Sequence, residues 1–571
     1  MARVLVALLC FAAALPVFGG LGLVPFDDPG EGMHAEIARE LLVSQDPFGL
    51  RFNGVRYVDK PPHLYWLIAL SFRAFGQTEA AARLVPAVAG VAAVAATVWL
   101  GTRLLGRQAG VAAGLALLTC VWFFVYTRYV RPETLFLAPI AWGFALVLTG
   151  LTDERRSWVV GGLAAFGTAG LAKDPLGVVA PILTIAGAMA LCGRLRPVSR
   201  WLPPAGVLAG VVLAFAWYLV VEPRTPGFIW YTLIDNHVLN VAGARHFPDE
   251  DVPLNLFEFL SVAALGAAPW TVAGLVGIAD LVRRRAWRLA GELPWVALAV
   301  WVVAVVVAAA ASRFRLPHYA LPAYPALALI AVRAWHGRPG RMLIVCHAAV
   351  FAFFAIGCWL EIARGGEDFI DSVIGLTDIY TRKQDAIGEV SPLPPWEAFL
   401  PLVTVTAAVF SAAALGLAGA AVRGARRTAL FITIGAMMAI LPAAAIGHAL
   451  TSAHRAVRGM ALTITQQMRP GDRLVHEGPM ENAGALEFYS GARPIIVAGE
   501  RSVLGFGATF SDSRETFWNA ARLEREWRGS GRVFLVTTHA DGNSVLARLP
   551  PARVRLVLEA GGRRLYVNDA R

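Results

Sequence analysis

Acidic side chains that could activate a hydroxyl group are concentrated in the first polar stretch of the chain. This stretch runs from Phe26 to Trp66 and reads FDDPGEGMHAEIARELLVSQDPFGLRFNGVRYVDKPPHLYW. Asp27, Asp28 and Glu31 crowd the start of a predicted helix. A carboxylate among like charges can acquire a raised pKa and act as a general base. The stretch is therefore the first candidate for catalysis, and the residues alone leave open which acid acts.

The same stretch also places a cation at a rigid corner. Asp59 and Lys60 directly precede Pro61 and Pro62, whose fixed φ keeps the preceding backbone out of a helix. Lys60 can then stabilise the charge of a phosphate group, which belongs either to an ordinary membrane lipid or to a lipid-linked substrate.

Two interfacial helices are expected to hold these residues at a membrane surface. A helix over 30–43 would rest an apolar face that includes Ile37 on the membrane. We interpret Glu36 and Glu40 as its solvated face, with ordinary intrahelical pairing to an arginine. A second helix over 62–75 carries aromatic side chains of the kind found at headgroup depth.

The composition indicates an integral membrane protein. Of the 571 residues, 57% are hydrophobic and 16% are charged, and the mean hydropathy is +0.57. Soluble domains contain about 25% charged residues. Apolar runs long enough to cross a bilayer as helices recur as far as about Gly447. The net charge of +11 lies mostly in short loops, as membrane topology predicts, so we expect no nucleic-acid partner.

About thirteen transmembrane helices are predicted. They cover residues 4–24, 84–105, 111–126, 134–151, 158–171, 176–191, 201–221, 257–282, 293–311, 319–335, 342–360, 396–422 and 428–447. Arginine-rich connections alternate with longer acidic ones, so the positive-inside rule places the first loop, 26–83, outside. We expect the first span to be an uncleaved anchor and the five cysteines, all in apolar runs, to form no disulfide framework.

The chain is thus expected to consist of a membrane domain, 1–447, and an outer domain, 448–571. In the outer domain the short apolar runs RLVHEG, RPIIVAG, RVFLVTT and VRLVLEA predict strands, and RETFWNAARLEREWRG predicts a helix. A small α/β domain follows. Glu487, Tyr489 and Arg493 are candidate contacts with the membrane-side cavity, although we prefer to interpret them as part of a solvated loop.

Further ionisable and aromatic residues interrupt apolar sequence near the outer ends of the spans. They are Arg128, Arg131, Glu133, Lys173, Asp174, Asp235, His237, Arg313, Arg315, His318 and Tyr319. Ionisable groups near membrane depth are costly unless they are paired or hydrated, so they mark either a site or internal ion pairs. For Lys173 both interpretations stay open, the alternative to a site being a salt bridge with Asp174.

Five stretches taken in order resemble the lipid-linked-sugar glycosyltransferases of the protein mannosyltransferase and aminoarabinose transferase group. They are AEIARE, NGVRYVDKPPHLYW, RPE, DNHVLN and RLPHYALPAYP. The resemblance implies a GT-C fold, with a many-helix bundle, interfacial helices in the first outer loop and a small outer C-terminal domain. The activity that it implies is inverting transfer of a sugar from a polyprenyl (undecaprenyl) phosphate carrier on the periplasmic face of the bacterial inner membrane.

The resemblance also implies roles for individual residues. The catalytic candidates are Glu31, Asp28 and Glu133. The candidates for binding the donor phosphate are Lys60, Arg128, Arg131, Arg313 and Arg315. The candidates for contact with substrate or lipid are Tyr57, Tyr65, Trp66, Lys173 and Tyr319. Asp59 and His237 correspond to positions that bind a divalent metal such as Zn, Mg or Mn in relatives.

Three departures from the group's pattern bear on these roles. The group usually has an Asp-Glu pair after the proline, whereas this chain has Gly30 and Glu31, so either Glu31 or Asp28 must serve as the base. Glu133 stands where Asp is common, and LAKDP departs from a common LxKGP form around Lys173.

The acceptor is left open among lipid A, another glycolipid, a polysaccharide and a protein. Two other functions compete with the enzyme, namely a polyprenyl-lipid transporter or flippase and a non-catalytic subunit of an envelope assembly. Neither requires acids, Lys60 and a proline corner to cluster on one outer loop, so we favour the transferase.

Overall fold

The computed structural model describes residues 15–248, 251–337, 340–366, 369, 373–386, 393–499, 501–539 and 542–568. Of the first predicted span, 4–24, residues 4–14 lie outside the described part of the chain.

The first loop folds into two helices and a hairpin. These elements are α1 (Glu31–Ser44), β1 (Arg51–Phe52), β2 (Val55–Arg56) and α2 (His63–Phe75). Both helices begin within one residue of their predicted starts. Glycine at position 54, with φ of 77°, allows the tight turn between the two strands.

Helices, most of them long and apolar, make up the next part of the chain. They are α3 (Glu79–Leu105), α4 (Arg107–Leu118), α5 (Val121–Tyr126), α6 (Glu133–Thr152), α7 (Arg156–Ala172), α8 (Leu176–Leu191), α9 (Pro204–Val221), α10 (Leu256–Gly266), α11 (Trp270–Arg283), α12 (Leu293–Ala311), α13 (Tyr324–His336), α14 (Gly340–Arg364), α15 (Ile379–Ala386), α16 (Trp396–Arg423) and α17 (Arg426–His454). A π-helix, Tyr231–Leu239, and a 3-10 helix, Pro317–Ala323, lie in two of the connections.

Seven helical segments among the described residues are long and apolar enough to cross a membrane, and an eighth results if α10 and α11, bent by 99°, count as one. The remaining predicted spans correspond to shorter or interrupted helices. The segment predicted over 111–126, for example, consists of α4 and α5, which are separated at Thr119 and Cys120. The multi-pass helical architecture is confirmed.

The C-terminal part is an α/β unit, as predicted. It contains α18 (Arg458–Gln467), β3 (Arg473–Glu477), α19 (Gly484–Ser490), β4 (Ile495–Val497), β5 (Phe517–Trp518), α20 (Ala520–Arg528), β6 (Val533–Thr537), β7 (Val554–Ala560) and β8 (Arg563–Asn568). The strand order is β5-β4-β3-β6-β8-β7, with β5, β4, β3 and β6 parallel and β8 antiparallel to both of its neighbours.

Two expectations about this unit need correction. The predicted boundary at residue 448 lies inside α17, which continues to His454, since no glycine or proline follows Gly447 closely enough to end the helix there. The helix predicted over 514–529 is confined to α20. Its first residues end a 3-10 helix, Ser511–Thr516, and form β5, because Phe517 and Trp518 pair with β4.

The C-terminal unit packs on the first loop and buries α1, which was predicted to rest on the membrane. The side chains of Ile37 and Glu36 are 0% exposed, which contradicts the predicted membrane-facing and solvated faces. The backbones approach closely where two glycines meet. A Cβ atom on Gly484 would lie 2.6 Å from the Gly32 carbonyl carbon, and one on Gly32 would lie 2.8 Å from the Ala485 Cα.

This close contact predicts that Gly484→Val separates the sheet unit from the first loop. Overpacking of this kind costs about 1 to 3 kcal/mol, so we expect a lower melting temperature and faster proteolysis near residues 455–457. Gly459→Val in α18, where a Cβ atom meets nothing within 4 Å, is the matched control. Equal melting temperatures for the two variants would contradict the proposed packing.

Candidate active site

A cavity of about 840 Å³ lies inside the bundle and reaches the first loop. Its apolar wall includes Val262, Leu265, Phe351, Phe354, Phe410, Met437 and Ile440. Its polar lining, called the rim below, includes Asp27, Asp28, Tyr126, Tyr129, Arg131, Asp251, His448 and Arg455. A cavity with an apolar wall and a charged rim suits an amphiphilic molecule.

Glu31 makes a buried ion pair at the start of α1. Its Oε1 accepts a hydrogen bond from Arg83 Nε at 2.8 Å and another from the Val130 amide at 3.0 Å, and Oε2 pairs with Arg83 as well. Burial raises the pKa of Glu31, whereas the Arg83 charge lowers it. Because Glu31 faces Arg83 and does not line the cavity in the described part of the chain, its position does not suit the predicted role of general base.

Asp28 lines the cavity but is held by the C-terminal unit. Its carboxylate accepts hydrogen bonds from the Ala485 amide, at 2.9 Å and 3.0 Å, and from Arg563 Nη1 at 3.3 Å. Burial raises the pKa of Asp28 to about 7, although Arg563 and the Ala485 amide act in the opposite direction. Asp28 thus ties the first loop to α19 and β8.

Asp27 is the third carboxylate, and its side-chain partners are hydroxyl groups. The Tyr129 hydroxyl lies 3.0 Å from Oδ1 and 3.2 Å from Oδ2, and the Ser452 hydroxyl lies 3.3 Å from Oδ2. Oδ1 also lies 3.3 Å from the Glu31 amide. The Tyr129 hydroxyl occupies the space that a Cβ atom on Gly30 would need, so the glycine at this position leaves room for the tyrosine.

Lys60 and Asp59 form an ion pair at the proline corner, as their order suggested. Lys60 Nζ lies 2.6 Å from Asp59 Oδ2, and Asn236 Nδ2 donates to Asp59 Oδ1 at 3.2 Å. His237 instead has Nδ1 2.6 Å from the Thr232 carbonyl oxygen. If Nδ1 carries the proton, Nε2 keeps a lone pair for a metal, and Asp59 would have to exchange one of its present partners to join it.

Glu133, Lys173 and His318 meet where α6, α7 and the 3-10 helix come together. Glu133 Oε1 lies 3.4 Å from Lys173 Nζ and 3.2 Å from His318 Nε2. Lys173 therefore pairs with Glu133 and not with Asp174, whose carboxylate accepts from the Leu176 amide at 2.8 Å. The salt bridge with Asp174, one of the two interpretations left open for Lys173, is not among the ion pairs of the described residues, because the fold brings Glu133 close from 40 residues away.

Arg131 connects this group with the cavity. It lines the cavity, and its Nε is buried with no hydrogen-bond partner among the described residues. Burial and the charges of Arg131 and Lys60 together lower the pKa of His34 to about 3. His34 thus feels the charge of one cation on the first loop and of one that lines the cavity.

The other arginines predicted to bind the phosphate differ in whether the fold already uses their hydrogen-bond donors. Arg128 donates to the carbonyl oxygens of Pro16 and Val17, the latter at 3.0 Å, and Arg315 donates to the Leu254 carbonyl at 3.0 Å and to Ser312. These bonds hold backbone segments, which argues against the predicted phosphate contacts. Arg313 is exposed and makes no ion pair with the residues that the structure describes.

The predicted aromatic contacts mostly support the first loop. Tyr57 and Tyr65 pack edge to face at 5.5 Å, and the Tyr65 hydroxyl lies 2.9 Å from His34 Nδ1. Trp66 donates to the Pro47 carbonyl at 2.6 Å. Tyr319 differs, because its ring centroid lies 5.6 Å from Lys173 Nζ beside the Glu133 group.

Three carboxylates that could share a metal ion lie elsewhere in the described residues. Glu36, Glu40 and Glu487 approach one another between α1 and α19, where Arg39 pairs with Glu36 at 2.6 Å and Arg493 with Glu40 at 2.7 Å. Glu487 is buried, and the Tyr489 hydroxyl donates to Glu79 at 2.7 Å, so the preferred solvated-loop interpretation was wrong. The sheet unit contacts the first loop through these residues.

Comparison with known proteins shows which family and which fold this chain resembles. Residues 59–221 match the family model described as dolichyl-phosphate-mannose-protein mannosyltransferase. Two relatives are named undecaprenyl phosphate-alpha-4-amino-4-deoxy-L-arabinose arabinosyl transferase. The one from Pseudomonas aeruginosa is 27% identical over 55% of this chain, and the one from Sodalis glossinidius is 26% identical over 93% of it. The chain spans 58% of the Pseudomonas relative and 94% of the Sodalis relative. The predicted resemblance is confirmed.

The fold is confirmed as well. The crystal structure of ArnT from Cupriavidus metallidurans bound to undecaprenyl phosphate superposes on this chain with a TM-score of 0.81 at 23% identity. The superposition covers 100% of this chain and 99% of the ArnT chain. The apo structure of the same protein gives a TM-score of 0.80. The chain therefore has the GT-C fold, and the predicted enzyme class is that of its named relatives.

Sequence reasoning did not select three residues that the site contains. Arg83 holds Glu31, Tyr129 holds Asp27, and Asn236 contacts Asp59. Tyr129 was within reach of a motif search, because it lies two residues before the RPE stretch. Arg83 gave no local signal, since its partner lies 52 residues away.

Glu31→Gln should destabilise the fold. The substitution leaves Arg83 buried beside a neutral amide, and loss of one partner of a buried ion pair costs about 3 to 5 kcal/mol. Glu154→Gln, which removes an ion pair whose carboxylate is 78% exposed, is the matched control and should change the melting temperature little. A Glu31→Gln protein with unchanged melting temperature would contradict the structural role.

Asp28 should make stability depend on pH. Its pKa is raised from 3.8 to about 7 in the folded protein, so the folded state binds this proton more tightly than the unfolded state. The folded protein therefore loses stability as the pH rises from about 4 to 7, by up to about 4 kcal/mol. Asp28→Asn should therefore give a smaller fall in melting temperature between pH 5 and pH 8 than the wild type. Asp280→Asn, at an exposed intrahelical pair, should keep the wild-type dependence.

Proposed function

We propose that this chain is an inverting glycosyltransferase that moves a sugar from a polyprenyl phosphate carrier to a glycolipid acceptor. Its relatives are named as transferases for undecaprenyl phosphate-linked aminoarabinose, and undecaprenyl phosphate is the ligand bound to ArnT. We extend this carrier chemistry to the present chain and place the reaction on the periplasmic face of the bacterial inner membrane.

The observation that carries the proposal is the unpartnered, buried Nε of Arg131 at the cavity rim. A buried cation with an unused donor favours an anionic ligand, and guanidinium groups bind phosphate by paired hydrogen bonds. Lys60, whose side chain is 30% exposed, supplies a second positive charge, and both Lys60 and Arg131 contribute to the lowered pKa of His34. Arg313 is a third candidate, because its exposed side chain has no ion-pair partner in the described residues.

These cations suit the leaving group of the reaction. As the bond between the anomeric carbon and the carrier phosphate breaks, the phosphate gains negative charge, which Arg131 and Lys60 can stabilise. A carboxylate of the first loop removes a proton from the acceptor hydroxyl as its oxygen attacks the anomeric carbon. One displacement inverts that carbon, and no second nucleophilic carboxylate is needed.

The cavity favours a glycolipid among the open acceptors. Its wall is largely apolar, with Phe351, Phe354 and Phe410 in it, whereas the carboxylates lie at the rim. Acyl chains fit such a wall and a sugar headgroup fits the rim, as lipid A would require. A soluble polysaccharide has no acyl chain to bury there.

A divalent metal at Asp59 and His237 remains part of the proposal, and its identity as Zn, Mg or Mn is left open. The lone pair of His237 Nε2 and one Asp59 oxygen would hold it. A bound cation would add positive charge near the carrier phosphate. The role of Lys60 and Arg131 does not depend on it.

Lys60→Ala and Arg131→Ala should each lower sugar transfer at least tenfold, because one charge-assisted hydrogen bond contributes about 1.5 to 3 kcal/mol. The assay uses purified protein in lipid, radiolabelled undecaprenyl phosphate-linked aminoarabinose and lipid A. Arg200→Ala, at an exposed ion pair with Glu154, should keep wild-type transfer.

Binding of undecaprenyl phosphate should weaken in parallel with transfer. Wild-type protein that moves the intact labelled lipid across the bilayer but transfers no sugar to any acceptor extract would overturn the proposal and favour a transporter.

A further inference from the structure

We infer that Asp27 is the general base that activates the acceptor hydroxyl, with Tyr129 as the residue that positions it. This inference rests on the proposed sugar transfer and names the proton acceptor of that site. It starts from the different partners of the three carboxylates at the head of α1.

Two of these carboxylates are held by groups that join elements of the fold. Glu31 is paired with Arg83, which also donates to the carbonyl oxygens of Leu21 and Val24, each at 2.7 Å. Asp28 is held by the Ala485 amide and Arg563. An incoming hydroxyl would have to displace a guanidinium or a backbone amide from either acid, with loss of packing between α1 and its neighbours.

Asp27 has a partner that a substrate can replace. The side-chain donors to its carboxylate are the hydroxyls of Tyr129 and Ser452, at 3.0 to 3.3 Å. A sugar hydroxyl is equivalent in chemistry to the Ser452 hydroxyl, so exchange of the two conserves the number of hydrogen bonds while Tyr129 stays in place. The weaker contact from the Glu31 amide, at 3.3 Å, can persist and keep the carboxylate oriented.

The location of Asp27 also fits the reaction. Its side chain is 5% exposed and lines the cavity together with Tyr129 and Arg131. The Arg131 guanidinium lies 6.0 Å from the centre of the Tyr129 ring. An acceptor in the cavity would thus meet a carboxylate for its proton close to a cation for the departing phosphate.

The chemical step balances with these groups alone. An Asp27 oxygen takes the proton of the acceptor hydroxyl, and the acceptor oxygen forms a bond to the anomeric carbon. The bond from that carbon to the carrier oxygen breaks, and its electron pair stays on the carrier phosphate. Asp27 ends as a carboxylic acid and releases its proton to solvent before the next turnover.

Tyr129 has a defined part in this arrangement. Its hydroxyl donates to Asp27 from the space left by Gly30, and the His448 ring packs edge to face against it at 5.1 Å. Tyr129 therefore fixes the carboxylate at the cavity without contacting the reacting atoms, which makes it a positioning residue.

The test compares Asp27→Asn with three other variants in the transfer assay with undecaprenyl phosphate-linked aminoarabinose and lipid A. Asp27→Asn should lower kcat by 100-fold or more, keep the affinity for undecaprenyl phosphate and melt within a few degrees of wild type. Asp27→Glu should recover part of kcat. Asp46→Asn, which removes an exposed acid of the same loop, should transfer normally.

Tyr129→Phe separates positioning from packing, because the phenyl ring preserves the contact with His448. It should lower kcat several-fold with little change in the KM for the donor, a split that general loosening of the site would not give. Equal losses of kcat and donor affinity would overturn the positioning role.

Two outcomes distinguish this inference from the proposed function. Wild-type transfer with an equally active Asp27→Asn variant would overturn the role of Asp27 and leave the transferase intact. No transfer by wild type, despite tight binding of undecaprenyl phosphate, would overturn the proposed function and the role of Asp27 with it.

Discussion

The buried ion pair between Glu31 and Arg83 is the interaction on which the polar side of this protein depends. Arg83 lies near the start of α3, and its remaining donors reach the carbonyl oxygens of Leu21, Val24 and Pro25. Glu31 accepts from Arg83 and from the Val130 amide. One charge pair thus fixes the end of the first segment, the start of α1 and the loop after α5. Such a pair stabilises only when every polar atom is satisfied, which is the case for Glu31.

Once that pair is formed, neighbouring acids in the sequence have separate roles. Asp28 points to α19 and β8, where Ala485 and Arg563 hold it. Asp27 points to Tyr129 and the cavity. The C-terminal unit is therefore part of the site's architecture, because it holds Asp28, the residue next to Asp27. It also covers α1, so the first loop is a buried layer between the bundle and the sheet.

The cations also differ in role, since some hold the backbone and others have donors or charge that a ligand could use. Arg128 and Arg315 satisfy backbone carbonyl groups at positions where the chain leaves a helix. Arg131 has an unused buried donor, and Lys60 shares its charge with Asp59 at a rigid corner. Because a phosphate needs donors that the fold has not already used, only part of the predicted cationic set suits the proposed carrier phosphate.

The sequence by itself determined the properties that depend on short stretches. Apolar length and periodicity predicted the membrane bundle, α1 and α2 to within a residue or two, and most strands of the C-terminal sheet. The order of five motifs predicted the GT-C fold, and the proline corner correctly joined Asp59 to Lys60. These features are local, since residues close in the chain fix them through backbone geometry and hydrophobic pattern.

Only the tertiary structure decided which partner each ionisable group has. Glu31 meets Arg83 across 52 residues, Lys173 meets Glu133 across 40, and Asp28 meets Arg563 across 535. The composition near Asp27, Asp28 and Glu31 is almost the same for all three, so sequence could not rank them. Their roles follow from what each carboxylate faces after folding, because the electrostatic cost of burial is offset only by specific groups brought within hydrogen-bond distance.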